Sequence, residues 1–281
     1  MKPSVRIAVL LMLFASAAHA GAAAPRRVMS LSLCTDQLLL DLLPPQRIVS
    51  VTYLSRDRHQ SWLSAAAWKV GVNHGRAEEV VRERPDLVVA GDFTSPDTRR
   101  LLKSVGIPVL ELPPANSFED IRVQLRALGR ALGAAARAEA LLQQMDATLS
   151  ALRATAPRRR ITIVGWDGGN DVPGQGTLFN AIITAAGAVN LGAQPGLQSG
   201  HFDTEQLLMT HPDLLAYGDA DIADPALHNG PLRHPLVQRL YRGRQVIYPE
   251  LLYTCGLPQS AQAAVQLRQV MLSALAGRPP A

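Results

Sequence analysis

The sequence predicts an α/β protein of two similar lobes, each built on a parallel-type sheet, joined by one long α-helix. Three observations predict it. From Arg26 onward, short runs rich in Val, Ile and Leu alternate with helical stretches, the pattern of strands connected by crossover helices. A unit recurs at fixed spacing: Glu78, Pro85, Asp86, Leu87, Gly91 and Asp92 return as Glu205, Pro212, Asp213, Leu214, Gly218 and Asp219, each displaced by 127 positions without a gap. Between the two sets lies a proline-free stretch, Ala115 to Ala156, bracketed by Pro114 and Pro157.

The elements follow in order. Strands are expected at Val28–Ser32, Ile48–Tyr53, Leu87–Ala90 and Ile107–Leu112, with helices at Thr35–Leu43, stopped by Pro44-Pro45, at Ala77–Glu83 and at Pro96–Val105. Ser117 is placed to cap the next helix, Glu119 and Asp120 sit at the positive end of its dipole, and Gly133 stops it. Ala134 to Thr155 then reads as a helix long enough, at about 1.5 Å per residue, to act as a strut between lobes. A second set comprises Ile161–Val164, helices Leu178–Ala186 and Thr204–Met209, strands Leu214–Tyr217 and Gln245–Tyr248, and a last helix from Gln259 to Ala276. The expected division is therefore residues 1–20, a first Rossmann-like lobe 21–133, a linker helix 134–156 and a second Rossmann-like lobe 157–281.

Composition excludes several classes. With 281 residues, 47% hydrophobic, 5% aromatic and 2 Cys, the chain is neither disordered, collagen-like nor disulfide-dense. Met1 to Ala20 carries Lys2 and Arg6, an apolar run from Ile7 to Phe14 and the small-x-small end Ala18-His19-Ala20, so it reads as a cleaved secretory signal; the run is too short for a spanning anchor. Its removal lowers the net charge from +5 to +3, an ordinary surface charge that does not point to nucleic acid. Cys34 does not read as a lipid-attachment site, because Leu33 is large and Pro25-Arg26-Arg27 separates the cysteine from the apolar run. The expected location is the periplasm, as a monomer.

In open α/β sheets ligands bind outside the carboxyl ends of the strands, so two facing lobes make a cleft between them. The candidates at those ends are Tyr53, Arg56, Asn73, His74, Asp92, Phe93, Trp166, Asp167, His201, Phe202, Tyr217 and Tyr253. Aromatic faces can stack on a flat macrocycle, Arg56 can meet carboxylate or phosphate, and a neutral imidazole at His74 or His201 can coordinate a metal that the ligand brings with it. No resident cofactor or metal is expected. Cys34 and Cys255 both fall near the lobe interface, and in an oxidising compartment the pair reads as a disulfide; separate buried thiols, or a pair meeting a metal or ligand, are the alternatives.

Several stretches in this order carry a resemblance: Arg27-Val-Met-Ser-Leu-Ser, the helix-turn Ala77 to Val89, Val105-Gly-Ile-Pro-Val with Ser117-Phe-Glu-Asp-Ile, Gly187-Ala-Val-Asn-Leu and Phe202-Asp-Thr-Glu-Gln-Leu. Together they resemble the periplasmic cobalamin, iron-siderophore and haem binding proteins of ABC importers, over nearly the whole chain after the signal. The resemblance implies two lobes joined by one helix, little hinge motion, a metal chelate held between the lobes, and delivery to a permease dimer in the inner membrane. It also implies one acidic residue per lobe docking onto permease arginines; Glu78 and Glu205 fall there, with Glu79 a competitor on the first lobe. The chelate expected is cobalamin or a ferric siderophore, with haem as alternative.

Two other classes compete. An exported α/β enzyme is disfavoured because the chain has no Gly-x-Gly-x-x-Gly after a strand, phosphate loop, Gly-x-Ser-x-Gly or His-Glu-x-x-His, and Gly174-Gln-Gly176 is only a fragment of a nucleotide pattern. A free-metal carrier is disfavoured because the seven histidines form no close ligand set.

Overall fold

The computed structural model describes residues 23–166, 172–194, 204–218 and 234–276. Residues 1–20, read from the sequence as an export signal, lie outside the described residues. The first lobe carries strands β1 (Val28–Ser30), β2 (Ile48–Thr52), β3 (Gly71–Asn73), β4 (Leu87–Ala90) and β5 (Val109–Glu111), in the spatial order β3-β2-β1-β4-β5 and all parallel. The second carries β6 (Ile161–Gly165), β7 (Ala188–Asn190), β8 (Leu214–Gly218) and β9 (Gln245–Tyr248), in the order β7-β6-β8-β9, again all parallel among the described residues. In both, the sequence of neighbours reverses at the first strand, leaving a crevice at the carboxyl ends.

The helices are α1 (Leu33–Leu42), α2 (Ser64–Ala67), α3 (Ala77–Glu83), α4 (Pro96–Ser104), α5 (Phe118–Ala131), α6 (Ala135–Ala154), α7 (Leu178–Ala185), α8 (Thr204–Thr210), α9 (Pro235–Leu240) and α10 (Ser260–Ala276). The expected elements are present with ends shifted by a residue or two. Strand β5 is shorter than expected, because it pairs only with the four-residue β4. Elements the sequence reading missed are β3, β7, α2 and α9. Each is short, and β3 and β7 are three-residue edge strands with one β-branched residue apiece.

The repeated unit has a structural cause. Helices α3 and α8 keep the same 127-residue displacement, and each ends on a left-handed residue, Arg84 at φ 48° and His211 at φ 47°. The Pro-Asp that follows ties neighbouring strands together. Asp86 Oδ2 accepts the backbone N–H groups of Arg26 and Arg27 at 2.8 and 2.9 Å, just ahead of β1; Asp213 Oδ2 accepts the N–H of Thr162 in β6 at 2.9 Å. Val80 and Leu207, another repeated pair, are both fully buried. The repeated glycines let side chains pass the strand ends: a Cβ at Gly91 would lie 2.7 Å from Ser32 Oγ, and one at Gly218 would overlap the Glu250 carboxyl group.

Each sheet is covered on both faces, as a parallel sheet requires. Alternation assigns the faces. In β6 and the residue after it, Ile161 and Ile163 face the central core, while Val164 and Trp166 face an outer cluster with Leu207 of α8 and Val237 of α9. In the first lobe Met29, Val80, Val88 and Leu102 form the matching outer cluster beneath α3 and α4. The central core is continuous across the molecule: Val28 and Leu39 of one lobe, Leu142, Met145 and Leu149 of α6, and Ile182 and Leu267 of the other belong to one cluster.

Helix α6, about 30 Å long, is what makes this possible. Ser117 caps α5, its hydroxyl accepting from Asp120 N, and Gly133, at φ 62°, breaks the helix so that α6 folds back along α5. Arg122 meets Asp146 and Arg126 meets Glu139 across the pair. At the far end the buried Arg268 of α10 gathers the carboxyl ends of two helices. It donates to Leu152 O at 2.6 Å and Thr155 Oγ1 at 3.0 Å beside α6, and to Ala186 O at 2.8 Å and Ala185 O at 3.1 Å beside α7. A cation there is favoured by both dipoles. Cys34 and Cys255 form a disulfide between the lobes, with Cα atoms 5.2 Å apart. Closing a loop of 221 residues stabilises the fold by about 5 kcal/mol on chain-entropy grounds.

Two stability measurements follow from these contacts. Arg268→Leu strips four acceptors of their donor in a buried setting and is expected to cost roughly 3 kcal/mol in urea unfolding; a loss below about 1 kcal/mol would show that the acceptors find other partners. The second concerns Asp36, fully buried on α1 and accepting from Thr52 N at 3.0 Å. Burial pushes its carboxyl up to about 6 despite the hydrogen bonds from Ser30, Thr52 and Ser55 that oppose the shift. The folded state therefore holds this proton where the unfolded chain has lost it. Stability attributable to Asp36 is complete below about pH 4 and falls by roughly 3 kcal/mol as pH rises to about 6. Asp36→Asn should flatten the difference between unfolding curves at pH 4 and pH 7 by that amount.

Candidate functional site

The carboxyl ends of the two sheets face each other across a cavity of about 250 Å³. The first lobe contributes Thr35 at the start of α1, Asp92 and Phe93 after β4, and Asn116 before α5; the second contributes Thr177 and Phe179 at the start of α7, and Tyr253 and Thr254 after β9. A second hollow of about 460 Å³ adjoins it on the first lobe, lined by Thr52, Tyr53, His74, Phe93 and Ser95, with Thr254 reaching across from the second lobe. Ser32, Cys34, Phe93 and Thr254 line both, so the two hollows form one cleft with the cross-lobe disulfide at its floor. The backbones meet closely beside that bond. A Cβ at Gly256 would lie 2.5 Å from Ala115 Cβ, so only glycine lets the lobes approach this far.

The lining combines aromatic faces with isolated polar groups. Phe93 is 92% exposed, the highest value among the large hydrophobic side chains of the described residues, and Tyr53 is 54% exposed. Tyr253 packs with Phe179 and Tyr248, ring centroids 5.7 and 4.4 Å away. Its hydroxyl has no hydrogen-bond partner among the described residues, and burial pushes its pKa well up, so it remains a neutral donor. Ser30, Ser32 and Thr35 form a buried hydroxyl chain with contacts of 2.7 and 2.8 Å at the base of the cleft.

The structure brings Tyr53, His74, Asp92, Phe93 and Tyr253 of the sequence candidates to the cleft. It turns three others away. Arg56 donates to Val70 O at 2.9 Å and lies over the Trp68 ring at 4.7 Å, pointing to the flank of the lobe. Trp166 and Tyr217 are 1% and 2% exposed in the outer cluster of the second lobe, on the sheet face under α8 and α9. The reason is the period of two: both follow a core-facing neighbour, and a strand end does not by itself turn a side chain into the crevice. Asn73 is structural, its amide donating to Ser30 O at 2.9 Å and Ser50 Oγ at 2.8 Å and accepting from Gly75 N. Asn190 repeats the turn in the second lobe, accepting from Gly192 N at 3.0 Å, within a matching Val-Asn-x-Gly. His201, Asp167 and Phe202 lie outside the described residues. Sequence reading missed Thr177, Phe179 and Asn116; Thr177 accepts from Asn180 N as a helix cap, a legible signal that α7 begins at the cleft.

Glu78 and Glu205 stand exposed at the second residue of α3 and α8. Glu79 differs. Its Oε2 accepts from His74 N at 2.8 Å and Arg76 N at 3.2 Å, and its Oε1 lies 3.1 Å from His74 Nδ1. Although partial burial works against ionisation, these hydrogen bonds hold its carboxyl below the usual range. Glu79 is thus committed to closing the turn before its own helix. Among the described residues no cluster of three or more His, Cys, Asp or Glu side chains could hold a bare metal ion, and no helix is long and apolar enough to cross a membrane.

Comparison with known proteins agrees with this architecture. An ABC transporter substrate-binding lipoprotein of Bacillus subtilis strain 168, YvrC, is 26% identical over 207 residues, covering 69% of this chain and 64% of its own length. In this chain Cys34 is bonded to Cys255. Among solved structures, the periplasmic heme-binding protein RhuT of Roseiflexus sp. RS-1 superposes with a TM-score of 0.73 at 22% identity, covering 89% of this chain and 98% of that one. The periplasmic vitamin B12 binding protein BtuF of Vibrio cholerae superposes with a TM-score of 0.65 at 16% identity over 89% and 98%. A family model described as periplasmic binding protein matches residues 28–240. The chain accordingly belongs to the periplasmic binding protein family, a family of solute-binding proteins and not of enzymes.

Proposed function

We propose that the chain is the substrate-binding component of an ABC importer, an exported periplasmic protein that takes up a metal chelate of corrinoid, haem or ferric siderophore type and hands it to a permease dimer. One observation carries the reading: a cleft closed by the carboxyl ends of both parallel sheets, faced with exposed aromatic rings and few polar groups. Its two hollows, about 250 and 460 Å³, are continuous and together reach the size of small-molecule sites, roughly 300–1,000 Å³. Tyr53, Phe93 and Tyr253 offer faces to a flat ligand, and His74 and Asp92 offer polar contacts. Arg56, Trp166 and Tyr217 take no part in this reading.

For docking, the exposed and matched carboxylates are Glu78 and Glu205. Their equivalent places on α3 and α8 suit a partner with two-fold symmetry and guanidinium groups, since carboxylate–guanidinium pairs are strong and directional.

Two experiments test the proposal. Titration of the mature chain with aquocobalamin, haem and a ferric siderophore, followed by tryptophan fluorescence and visible absorbance, is expected to give a Kd below about 1 μM for at least one; weaker binding to all three would refute the carrier role. Glu78→Lys combined with Glu205→Lys should abolish stimulation of the cognate transporter's ATPase while leaving chelate affinity intact. Unchanged stimulation would remove both residues from the docking surface.

A further inference from the structure

We infer that Cys34 Sγ is a thiol-exchange site reached through the empty cleft, where a dithiol reduces the Cys34–Cys255 bond in the folded protein and unties the two lobes at that end. Cargo in the cleft covers the site, a corollary that rests on the reading of the chain as a chelate carrier.

The two sulfurs are unequally placed. Cys34 is partly exposed and borders both hollows of the cleft. Cys255 borders neither; it is 1% exposed, next to the tight contact of Gly256 with Ala115. Thiol–disulfide exchange depends on which sulfur a thiolate can reach, so attack in the folded protein falls on Cys34. The position also favours the reduced form. Cys34 is the second residue of α1, a ten-residue helix whose amino end has no side-chain cap, so a thiolate there meets the positive end of the dipole. The opposing charge of the same turn is Asp36, whose carboxyl is taken up by hydrogen bonds from Thr52 N and Oγ1.

Exchange takes two steps. One thiolate of the dithiol bonds to Cys34 Sγ, the Cys34–Cys255 bond breaks, and Cys255 leaves with the electron pair and takes up a proton. The second thiolate then attacks the sulfur that the dithiol has placed on Cys34, closing a cyclic disulfide and expelling the Cys34 thiolate, the leaving group that the helix end stabilises. The dithiol is oxidised by two electrons and the protein reduced by two. What remains between the lobes is the shared apolar core, Arg268 at the far end, and Gln259 donating to Asp41 Oδ2 at 2.7 Å. Reduction therefore removes the covalent tie on the cleft side and leaves the scaffold around α6 in place.

The test uses the mature full chain without denaturant. A brief pulse of the monothiol 2-mercaptoethanol, quenched with acid and mapped by peptide mass, is expected to place the mixed disulfide on Cys34 at least about tenfold more often than on Cys255. An even split, as exchange through unfolding would give, or a majority on Cys255 overturns the inference. Thr254→Trp fills the cleft where both hollows meet and should slow reduction by dithiothreitol at least about tenfold, with circular dichroism confirming the fold; an unchanged rate overturns the route through the cleft. In the reduced protein, amide hydrogen exchange around Ala115 and Gly256 should quicken about tenfold while that of α6 stays constant. No change there would show that the bond does not hold the lobes. Finally, the redox-inert probes cyanocobalamin, gallium protoporphyrin and a gallium siderophore are added at saturation, and any that binds should slow modification of Cys34 about tenfold. Tight binding without protection overturns the corollary, whereas failure of all three to bind counts against the carrier reading and leaves the exchange site to the mapping and Thr254→Trp results.

Discussion

The apolar core shared by the two lobes is the constraint on which the cleft depends. Helix α6 places Leu142, Met145 and Leu149 against side chains of both lobes, so the sheets are packed on one scaffold and do not form two separate cores. Rotating one lobe relative to the other would expose that surface, at about 25 cal/mol per Å². Arg268 at one end and the Cys34–Cys255 bond beside the cleft oppose the same motion. Cleft width is thus set by the scaffold, and adjustment to a ligand falls to exposed side chains such as Phe93 and Tyr53.

The repeated helix-turn-strand unit does two jobs with neighbouring residues. Its buried positions, Val80 and Leu207, and its strand-tying aspartates, Asp86 and Asp213, are structural. Its exposed carboxylates, Glu78 and Glu205, hold no such position in the scaffold. In the first lobe the distinction between adjacent residues is sharp, because Glu79 closes the turn at His74 while Glu78 points outward. The same turn connects a cleft residue to the start of the exposed helix. Cleft and outer face are therefore a few bonds apart in this lobe.

Much of the fold was legible because it is repeated or locally coded. A fixed 127-residue displacement marks equivalent units, proline and glycine mark the ends of α5 and α6, and apolar runs mark buried parallel strands. Strands β3 and β7 were not legible, since three residues with a single β-branched side chain carry no pattern, though the shared Val-Asn-x-Gly was available as a clue. The cleft was legible only in part. Strand ends locate the crevice, but Trp166 and Tyr217 show that the face of the sheet decides which side chains enter it, and alternation along β6 and β8 would have assigned both to the outer face. Arg56 illustrates a different loss, because Trp68 and Val70 O outcompete the cleft for its guanidinium group.

By itself the sequence determined the α/β class, the two-lobe division, the strut, the pairing of Glu78 with Glu205 and the candidate cysteine pair, because each depends on periodicity, spacing or residue type along the chain. Only the tertiary structure decided that Cys34 meets Cys255, that His74 is oriented by Glu79, and that Thr177, Phe179 and Tyr253 face Phe93 across the cleft. These are contacts between segments as many as 221 residues apart. Their existence depends on how two sheets are set against one helix, and no local pattern along the chain encodes that angle.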